Sequence, residues 1–575
     1  MKHQYDVIIV GAGLAGLRAA IEMGEEANVA VLTKVFATRS HSGAAQGGIG
    51  AALGNEEEDR WEWHMFDTVK GSDYLGDQDA IEVLTKDAPR AIYELEHLGV
   101  PFNRTKDGKI AQRAFGGHTR NFGEAPVKRA CYAADRTGRV ILDTLWEKCL
   151  QRGVAFHDEF QMMSLIVKDG QCCGLMAYEL ATGKLHTFHS KAVLLATGGA
   201  GKIYKTTSNA FASTGDGLAI AYYAGALLED MEFVQFHPTG IHKLGILISE
   251  AARGEGGVLR NKDGERFMER YAPVIKDLAP RDMVSRCMLE EIRNGKGIES
   301  KDYLHLDLTH LGKEVLETKL SEITGFARTY AGVDPVQEPI PVHPTCHYMM
   351  GGIATNADGI VMIDNEGTPF PGLYAAGECA CVSVHGSNRL GCNSLLDLLV
   401  FGRRAGKEIN RAVSTMKFAK LPPNSEKQMS NRLNALMGNK GKERSSRIRS
   451  ELQEVMMDKV SVFRTGENLL RALEKIRELK DRYTQVSLQD KGKCFNRDLL
   501  EAIELEYLLD LAEVISLGAL KREESRGAHY REDNPDRDDE KWLVHTLCKF
   551  SDAKGPQISY RPVTINRFQP QERTY

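Results

Sequence analysis

The amino-terminal segment alternates between short apolar runs and a helical pattern. Residues 6–10 form an apolar, β-branched run of the kind found in buried parallel strands. Residues 14–23 have the apolar spacing of a helix, and residues 28–33 form a second strand-like run. The pattern therefore predicts a strand, a helix and a second strand in close succession, which is how a parallel α/β sheet begins.

The turn between the first strand and the helix carries three glycines in the spacing G-x-G-x-x-G, namely Gly11, Gly13 and Gly16. Glycines at these places permit a tight turn, close approach to a pyrophosphate and close packing of the helix. The helix amino terminus would then face the phosphates. The glycine pattern alone is weak, but its strand–turn–helix–strand context makes a dinucleotide site a strong prediction.

The end of the second strand departs from this fingerprint. An Asp or Glu that binds the ribose hydroxyl usually stands there, whereas this chain has Thr33-Lys34. A lysine suits a phosphorylated ribose, so NADP remains an open alternative at this point of the argument.

Apolar strands ending in glycine turns recur at residues 193–199 and 372–378, on either side of a mixed, proline-rich stretch. Residues far apart in sequence are therefore expected to build one nucleotide-binding domain with an insertion that acts as a lid. Apolar residues at helical spacing dominate residues 413–534 and predict the core of a helical bundle, as at Leu469, Leu470, Leu473, Ile476 and Leu479. The predicted fold is α/β: a Rossmann-like domain (1–232 and 346–412), an inserted capping domain (233–345), a helical domain (413–534) and a small C-terminal domain (535–575).

Composition limits the function. The 575 residues are 42% apolar and carry a formal net charge of −5 with interspersed signs, which predicts no nucleic-acid partner. No run approaches the roughly 18 apolar residues of a membrane helix, and a strand begins too early for a signal peptide. We therefore expect a cytoplasmic protein, unless the chain is exported folded or a presequence was removed. The 11 cysteines include no C-x-x-C pair, which predicts free thiols and no iron–sulfur cluster in this chain.

Arginines and histidines beside glycine or proline turns are the candidates for chemistry. Arg281 and Arg389 are suited to bind carboxylates with two parallel bonds, and His237 and His347 to donate to a second carboxylate. Each has an ordinary alternative, since the histidines could be core residues and the arginines surface ion pairs. Glu250 and Arg253 have the i,i+3 spacing of a common helical pair. Their turn-rich surroundings favour ligand contacts.

Five motifs together resemble the flavoprotein subunit of succinate dehydrogenase and fumarate reductase: R-S-H at 39–41, H-P-T-G at 237–240, R-G-E-G-G at 253–257, H-Y-x-M-G-G at 347–352 and N-R-L-G-x-N-S-L at 388–395. The resemblance covers nearly the whole chain. It implies that the Rossmann-like domain binds FAD and that His41 carries the flavin through a covalent 8α-histidyl bond. The family also lacks the acidic residue after the second strand, so Lys34 fits it and the NADP alternative falls.

The resemblance assigns roles to the candidate residues. His237 and Ser249 would hold one carboxylate of a C4 dicarboxylate, His347 and Arg389 the other, and Phe115 would press on its central carbons. Arg281 would pass the proton, relayed through Glu250 and Arg253, while hydride moves to or from the flavin. The expected cofactor contacts are Gly11, Gly13, Gly16, Lys34, Ser40, His41, Gln46, Gly47, Gly48, Ala196, Gly198, Asp216, Glu378, Ser394 and Leu395.

Electrons must leave the flavin through another protein, because this chain has neither a cluster motif nor a membrane span. The resemblance implies an iron–sulfur subunit and a membrane anchor with quinone and in some members haem, and places the chain peripherally on the cytoplasmic side of the inner membrane. Two alternatives are an L-aspartate oxidase-like soluble flavoenzyme and a non-catalytic FAD-binding assembly factor. The R-S-H motif argues against the first, and the full set of site residues against the second. The physiological direction stays open.

Overall fold

The computed structural model describes residues 1–24 and 27–574. The strands are β1 Lys2–Val10, β2 Val29–Thr33, β3 Ile49–Gly50, β4 Gln112–Arg120, β5 Ala125–Cys131, β6 Ala155–Asp158, β7 Phe160–Lys168, β8 Gln171–Glu179, β9 Lys184–Leu195, β10 Leu228–Glu229, β11 Val234–Ile241, β12 Val258–Arg260, β13 Leu304–Asp307, β14 Ile340–Met349, β15 Gly352–Ala354, β16 Ile360–Met362, β17 Pro369–Ala375, β18 Ala380–Cys381, β19 Phe463–Arg464, β20 Tyr530–Arg531, β21 Val544–Lys549 and β22 Gln557–Pro562.

The helices are α1 Leu14–Glu22, α2 Trp61–Gly71, α3 Gln78–Leu98, α4 Thr137–Gln151, α5 Asp216–Tyr223, α6 Ala251–Gly254, α7 Met268–Tyr271, α8 Arg281–Glu291, α9 Lys313–Thr318, α10 Ser321–Phe326, α11 Asn393–Val413, α12 Ser425–Gly438, α13 Ser445–Lys459, α14 Gly466–Tyr483 and α15 Arg497–Lys521. No helix in the described part of the chain is long and apolar enough to cross a membrane.

The central sheet has the order β16-β17-β9-β1-β2-β6, and β7 and β8 extend it beside β9. Strands β1, β2, β9 and β17 run parallel, as their continuous apolar sequences predict. Their carboxyl ends therefore meet at one edge, where the glycine turns after β1 and β9 lie together. That edge is where ligands bind in open α/β sheets.

Residues between the two halves of this domain form a separate sheet in the order β11-β14-β13-β12. Helix α8 packs against β11, and its Ser285 Oγ donates to the Phe236 carbonyl over 2.9 Å. This unit has its own core, which includes Ile248, Leu306 and Val342. Chain 234–349 therefore packs as a unit beside the carboxyl edge of the central sheet.

Helices α13, α14 and α15 pack together, as predicted from the leucine spacing, and β21 and β22 continue a sheet ordered β18-β15-β10-β21-β22. Two details differ from the sequence-based expectation. The stretch expected to be helical also contains β19 and β20, which pair with each other. Leu470, expected in the bundle core, is 51% exposed, because α14 has solvent on that face.

Candidate active site

A long cleft lies between the carboxyl edge of the central sheet and the inserted unit. It brings together most of the residues singled out from the sequence, which are Gly11, Gly13, Lys34, Ser40, His41, Gln46, Gly47, Gly48, Phe115, Ala196, Gly198, Asp216, His237, Ser249, Glu250, Arg281, His347, Glu378, Arg389, Ser394 and Leu395. Gly16 and Arg253 do not line it. Both lie behind the cleft wall: Gly16 packs against the Gly11 carbonyl, and Arg253 lies behind Glu250.

The glycine turn after β1 is close-packed on its own backbone. A Cβ at Gly11, whose φ is 109°, would lie 2.1 Å from the Ala196 carbonyl oxygen. A Cβ at Gly16 would lie 2.1 Å from the Gly11 carbonyl oxygen, so Gly16 supports the turn from behind. Gly198 has open space where its Cβ would be, on the cleft side of the second turn. The paired turns leave room for a phosphate-bearing ligand at the amino terminus of α1.

Lys34 at the end of β2 is neutralised by the protein itself. Its ammonium lies 2.7 Å from Asp216 Oδ2 and 2.8 Å from Glu504 Oε1. Burial would lower the pKa of Lys34, but the two carboxylates outweigh it and raise that pKa. A lysine held by two acids offers no spare charge to a ribose phosphate, which agrees with the loss of the NADP alternative. Asp216 lies in the first turn of α5, and the cap residue of that helix is Gly215.

His41 begins a short helical turn at the cleft wall. Its Nδ1 accepts from the Ala210 backbone N–H over 3.3 Å. Burial, with a smaller effect of the Lys202 charge, lowers the pKa of His41 to about 4. The imidazole is therefore neutral at pH 7, and a neutral ring nitrogen keeps the lone pair needed to form a bond to carbon.

The loop Gln46–Gly48 is fixed by a residue that the sequence argument missed. Arg113 donates its Nη2 to the Gln46 and Gly47 carbonyls over 3.0 and 2.6 Å. Phe115 fits its ring against this loop because a Cβ at Gly47 would lie 2.8 Å from its Cζ. On the other side of the ring, a Cβ at Gly391 would lie 2.6 Å from Phe115 Cδ1, so the glycine leaves space for the ring there as well. The loop and the ring are therefore held in one position relative to each other.

Buried polar atoms that have no hydrogen-bond partner among residues 1–24 and 27–574 line the cleft, which fits a polar ligand such as FAD. They are Gln46 Oε1, Gln161 Oε1 and Thr197 Oγ1. Glu378 is also at the wall, where its Oε1 accepts from the Met349 N–H over 3.2 Å. Burial raises the pKa of Glu378 to about 7, so part of the population carries a proton that can be donated to a ligand. Ser394 and Leu395 follow at the start of α11.

Two arginines converge on one amide oxygen at the end of the cleft under the inserted unit. Arg281 Nη1 and Arg389 Nη2 each donate to Gln235 Oε1 over 3.0 Å. Arg281 also donates its Nε to Glu250 Oε2 over 2.8 Å. Gln235 was missed, although strand β11 places it two residues from His237 on the same face, which is a signal that the sequence contains.

Arg389 is a buried cation that forms no ion pair in the described part of the chain. Its neighbours include the Gln235 oxygen, the Leu390 carbonyl at 3.5 Å and the face of Tyr348 at 4.4 Å, and its Nε has no hydrogen-bond partner there. Burial and the repulsion of Arg281 lower the pKa of Arg389 to about 9. Burial of an uncompensated charge is costly, so this place favours an anionic ligand.

His237 and His347 stand edge to face beside the arginines, with ring centroids 5.0 Å apart. Burial and the neighbouring Arg281 charge lower the pKa of both rings well below the ordinary value. His237 Nδ1 accepts from the Thr239 backbone N–H over 3.2 Å, so its neutral ring carries the proton on Nε2. That ring nitrogen is then a hydrogen-bond donor.

Glu250 connects the cleft to Arg253 behind it. Its Oε1 accepts from the Gly116 N–H over 2.9 Å, and Arg253 Nη2 lies 3.6 Å from Oε2. Burial would raise the pKa of Glu250, but Arg281 and Arg253 hold it below its usual value. Arg253 is buried, its Nε and Nη2 have no hydrogen-bond partner in the described chain, and its Nη1 donates to the Asp277 carbonyl. Glu250 and Arg253 do form the i,i+3 pair of the ordinary alternative, although the pair is buried, and Arg281 and Arg389 are buried residues rather than members of surface ion pairs.

Comparison with known proteins agrees with this architecture. The chain matches the FAD binding domain family over residues 6–395 and the fumarate reductase flavoprotein C-terminal family over residues 449–575. The succinate dehydrogenase flavoprotein subunit of Rickettsia conorii is 51% identical over 98% of this chain and 96% of its own. The fumarate reductase flavoprotein subunit of Mycobacterium tuberculosis is 42% identical over 100% of both chains. A solved E. coli quinol fumarate reductase superposes with a TM-score of 0.94 at 38% identity, covering 100% of this chain and 99% of that one.

The fold and the cleft define an FAD-dependent oxidoreductase. The chain belongs to the family of the flavoprotein subunits of succinate dehydrogenase and fumarate reductase. The predicted family and fold class are confirmed, and the L-aspartate oxidase and assembly-factor alternatives are not favoured.

Proposed function

We propose that this chain interconverts succinate and fumarate. The observation that carries the proposal is the buried guanidinium of Arg389, which forms no ion pair in the described part of the chain and lies beside two neutral histidines, because a dicarboxylate would supply a paired negative charge. Arg389 and His347 bind one carboxylate. His237, through its Nε2 proton, and Ser249 bind the other. Phe115, held between Gly47 and Gly391, presses on the central carbons.

The residues around the cleft favour FAD attached through His41. We propose that the ring nitrogen of the neutral His41 forms the 8α-histidyl bond. The remaining cofactor contacts are those expected from the sequence. Gly16 supports the glycine turn from behind the cleft wall, and Lys34 lies in the wall itself. When bound, FAD supplies the hydride acceptor or donor for the dicarboxylate.

Proton transfer belongs to Arg281, which reaches the cleft while its Nε remains bonded to Glu250. Glu250 stays ionised at neutral pH and stabilises the charged guanidinium, and Arg253 lies behind it. The proton passes to or from the substrate carbon at Arg281 and is relayed through Glu250 and Arg253. Gln235 holds Arg281 beside Arg389, so proton transfer and carboxylate binding occur at adjoining positions.

The chain works with other subunits. Relatives are named as flavoprotein subunits, and one solved relative is a quinol fumarate reductase with bound menaquinol. We propose that an iron–sulfur subunit takes electrons from the flavin and passes them to a quinone-binding membrane anchor, with or without haem. The chain then lies peripherally on the cytoplasmic side of the inner membrane. We also propose that the chain divides into domains at residues 1–232, 233–345, 346–412, 413–534 and 535–575.

Turnover of the assembled complex tests this function. Succinate oxidation with an artificial electron acceptor and fumarate reduction with a reduced dye are measured on the same preparation, with malonate as competitor. We expect both activities and competitive inhibition. Turnover of aspartate without turnover of succinate would contradict the proposal. The ratio of the two rates gives the kinetic bias of this protein.

A further inference from the structure

Residues 567–574 lie across helices α2 and α3 of the FAD-binding region. Gln78 Oε1 accepts from the backbone N–H groups of Arg567 and Phe568, both over 2.9 Å, and its Nε2 donates to the Phe568 carbonyl over 2.6 Å. Lys70 Nζ donates to the Thr574 carbonyl over 2.8 Å. The segment is therefore attached at both ends to the part of the chain that carries the glycine turns.

Arg573 extends from this segment to the inserted unit. Its Nη1 and Nη2 donate to the two oxygens of Asp282 over 3.0 and 3.1 Å, as a two-pronged pair. The same Nη1 lies 3.2 Å from Asp73 Oδ2 in the FAD-binding region. The Asp282 side chain is 0% exposed and that of Arg573 is 11% exposed, so water screens the pair little.

Asp282 is the neighbour of Arg281 in the first turn of α8. The same helix has a second link, from Arg286 Nη1 to the Gly527 carbonyl over 2.8 Å. The pair with Arg573 lies one residue from the proposed proton carrier, whereas the Gly527 link lies more than a turn further along. Arg573 therefore links the end of α8 that carries Arg281 to the carboxyl-terminal segment, while Arg286 Nη2 lies 3.4 Å from the same Asp282 carboxylate.

We propose that Arg573 is a positioning residue for Arg281, locking the first turn of α8 to the FAD-binding region through Asp282 and Asp73. The proposal rests on the proposed function, because it concerns the place of the proton carrier relative to the flavin. Arg573 does not touch the cleft, so it acts on turnover and leaves the carboxylate contacts of Arg389 and His347 in place. It also connects the inserted unit to a segment nearly 300 residues away, since 573 and 282 differ by 291.

The experiment uses the assembled complex with Arg573→Ala and Arg573→Lys. We expect Arg573→Ala to lower kcat in both directions roughly tenfold to hundredfold, since displacement of a reacting group by about 1 Å has effects of this size. The dissociation constant of malonate stays unchanged. Arg573→Lys keeps the charge but loses the paired geometry, so its kcat falls between those of the wild type and the alanine variant.

Hydrogen–deuterium exchange of the α8 amides gives a readout that needs no turnover. We expect faster exchange in Arg573→Ala of the Val284 N–H, which donates to the Pro280 carbonyl across the first turn of α8. This readout distinguishes failure of this proposal from failure of the proposed function. Two variants serve as controls. Arg567→Ala changes the same segment at a guanidinium that packs on Trp61, and Arg537→Ala removes another cation from Asp73. Native kcat or unchanged exchange in α8 in Arg573→Ala would overturn the proposal. A loss of kcat in both control variants as large as that in Arg573→Ala would overturn it as well.

Discussion

Arg281 donates its Nε to Glu250 Oε2 over 2.8 Å, and this contact joins the proposed proton carrier to a buried carboxylate. The carboxylate also accepts the Gly116 N–H, so it is fixed on both oxygens. An arginine held in this way keeps its orientation towards the cleft. Loss of the Glu250 charge should therefore change both the turnover rate and its pH dependence.

Glu250→Gln removes the charge and keeps the shape. We expect kcat to fall by about 10²–10⁴-fold in both directions, the range for loss of a general acid–base group. Steady-state kinetics of the complex checks this. Glu255→Gln, which changes a nearby acid that pairs with Lys319, is the control and keeps native turnover. Near-native kcat in Glu250→Gln would remove Glu250 from the relay.

The same contact sets the acid limit of activity. The pKa of Glu250 is lowered by Arg281 and Arg253 against the effect of burial, so the carboxylate is ionised at and above its ordinary pKa of roughly 4.5. Its contribution to stability is present above that pH and is lost as pH falls through the lowered value. We expect no loss of kcat/KM from this group between pH 8 and 5, measured after correction for unfolding. An acid limb centred near pH 6 that disappears in the residual activity of Glu250→Gln would contradict an ionised Glu250.

Arg281→Lys and Arg389→Lys are expected to fail differently. Arg389 is proposed to bind a substrate carboxylate, and a hydrogen bond to a charged group contributes about 1.5–3 kcal/mol. Replacement of Arg389 should therefore weaken malonate binding by about tenfold or more. Arg281 moves a proton, so its replacement lowers kcat much more than it weakens binding. Titration of malonate against the flavin absorbance and steady-state kinetics separate the two effects. Native turnover in Arg281→Lys would refute the proton assignment.

His41→Ser is expected to retain FAD without a covalent bond. Wild-type protein should show flavin fluorescence on a denaturing gel, and the variant should show none while the native complex stays yellow. Loss of the alkyl link lowers the flavin potential, so succinate oxidation should fall more than fumarate reduction. Equal losses in both directions, or a colourless wild-type band, would contradict the assignment.

Cys392 lines the cleft, yet alkylating reagents should inactivate the enzyme slowly. Burial, aided by the nearby Glu250 charge, raises the pKa of Cys392 to about 12, and the thiolate is the reactive form. Cys346 beside His347 is also buried, with its pKa raised by burial. The check is the inactivation rate with iodoacetamide at pH 7 with and without malonate, with Cys392→Ala as the comparison. Rapid inactivation blocked by malonate and absent in Cys392→Ala would show an accessible, reactive thiol.

His545 should stabilise the fold as a cation. Burial would lower its pKa, but Asp230, Glu229 and Asp77 raise it well above the ordinary value. Its Nδ1 lies 2.7 Å from Asp230 Oδ2. The stabilisation is fully present below pH 6.5, roughly the unfolded pKa, and is lost as pH rises through the folded value. His545→Gln leaves buried acids without this cation, so we expect a loss of about 3–5 kcal/mol in denaturant unfolding at pH 6. An unchanged midpoint at pH 6 would refute the charged state.

The sequence by itself determined the dinucleotide turn, the family and the order of the main elements. The apolar periodicity and glycine spacing are local, so β1, α1 and β2 are found where the pattern predicts them. Most of the residues assigned from the family resemblance line the cleft, since a short motif fixes the positions of residues that are neighbours in sequence. Those inferences need no knowledge of which distant segments meet.

Only the tertiary structure decided which charges meet. Lys34 pairs with Glu504, which is 470 residues away in sequence, and Arg573 pairs with Asp282, which is 291 residues away. No local sequence pattern encodes these pairs. Gln235 is part of the site because Arg281 and Arg389, which come from different segments, both donate to its side-chain oxygen. Leu470 satisfies the helical spacing but faces solvent, because periodicity gives a face and not what covers it. Pairing of distant polar groups depends on the packed geometry of the whole chain, and this is why it was out of reach of the sequence.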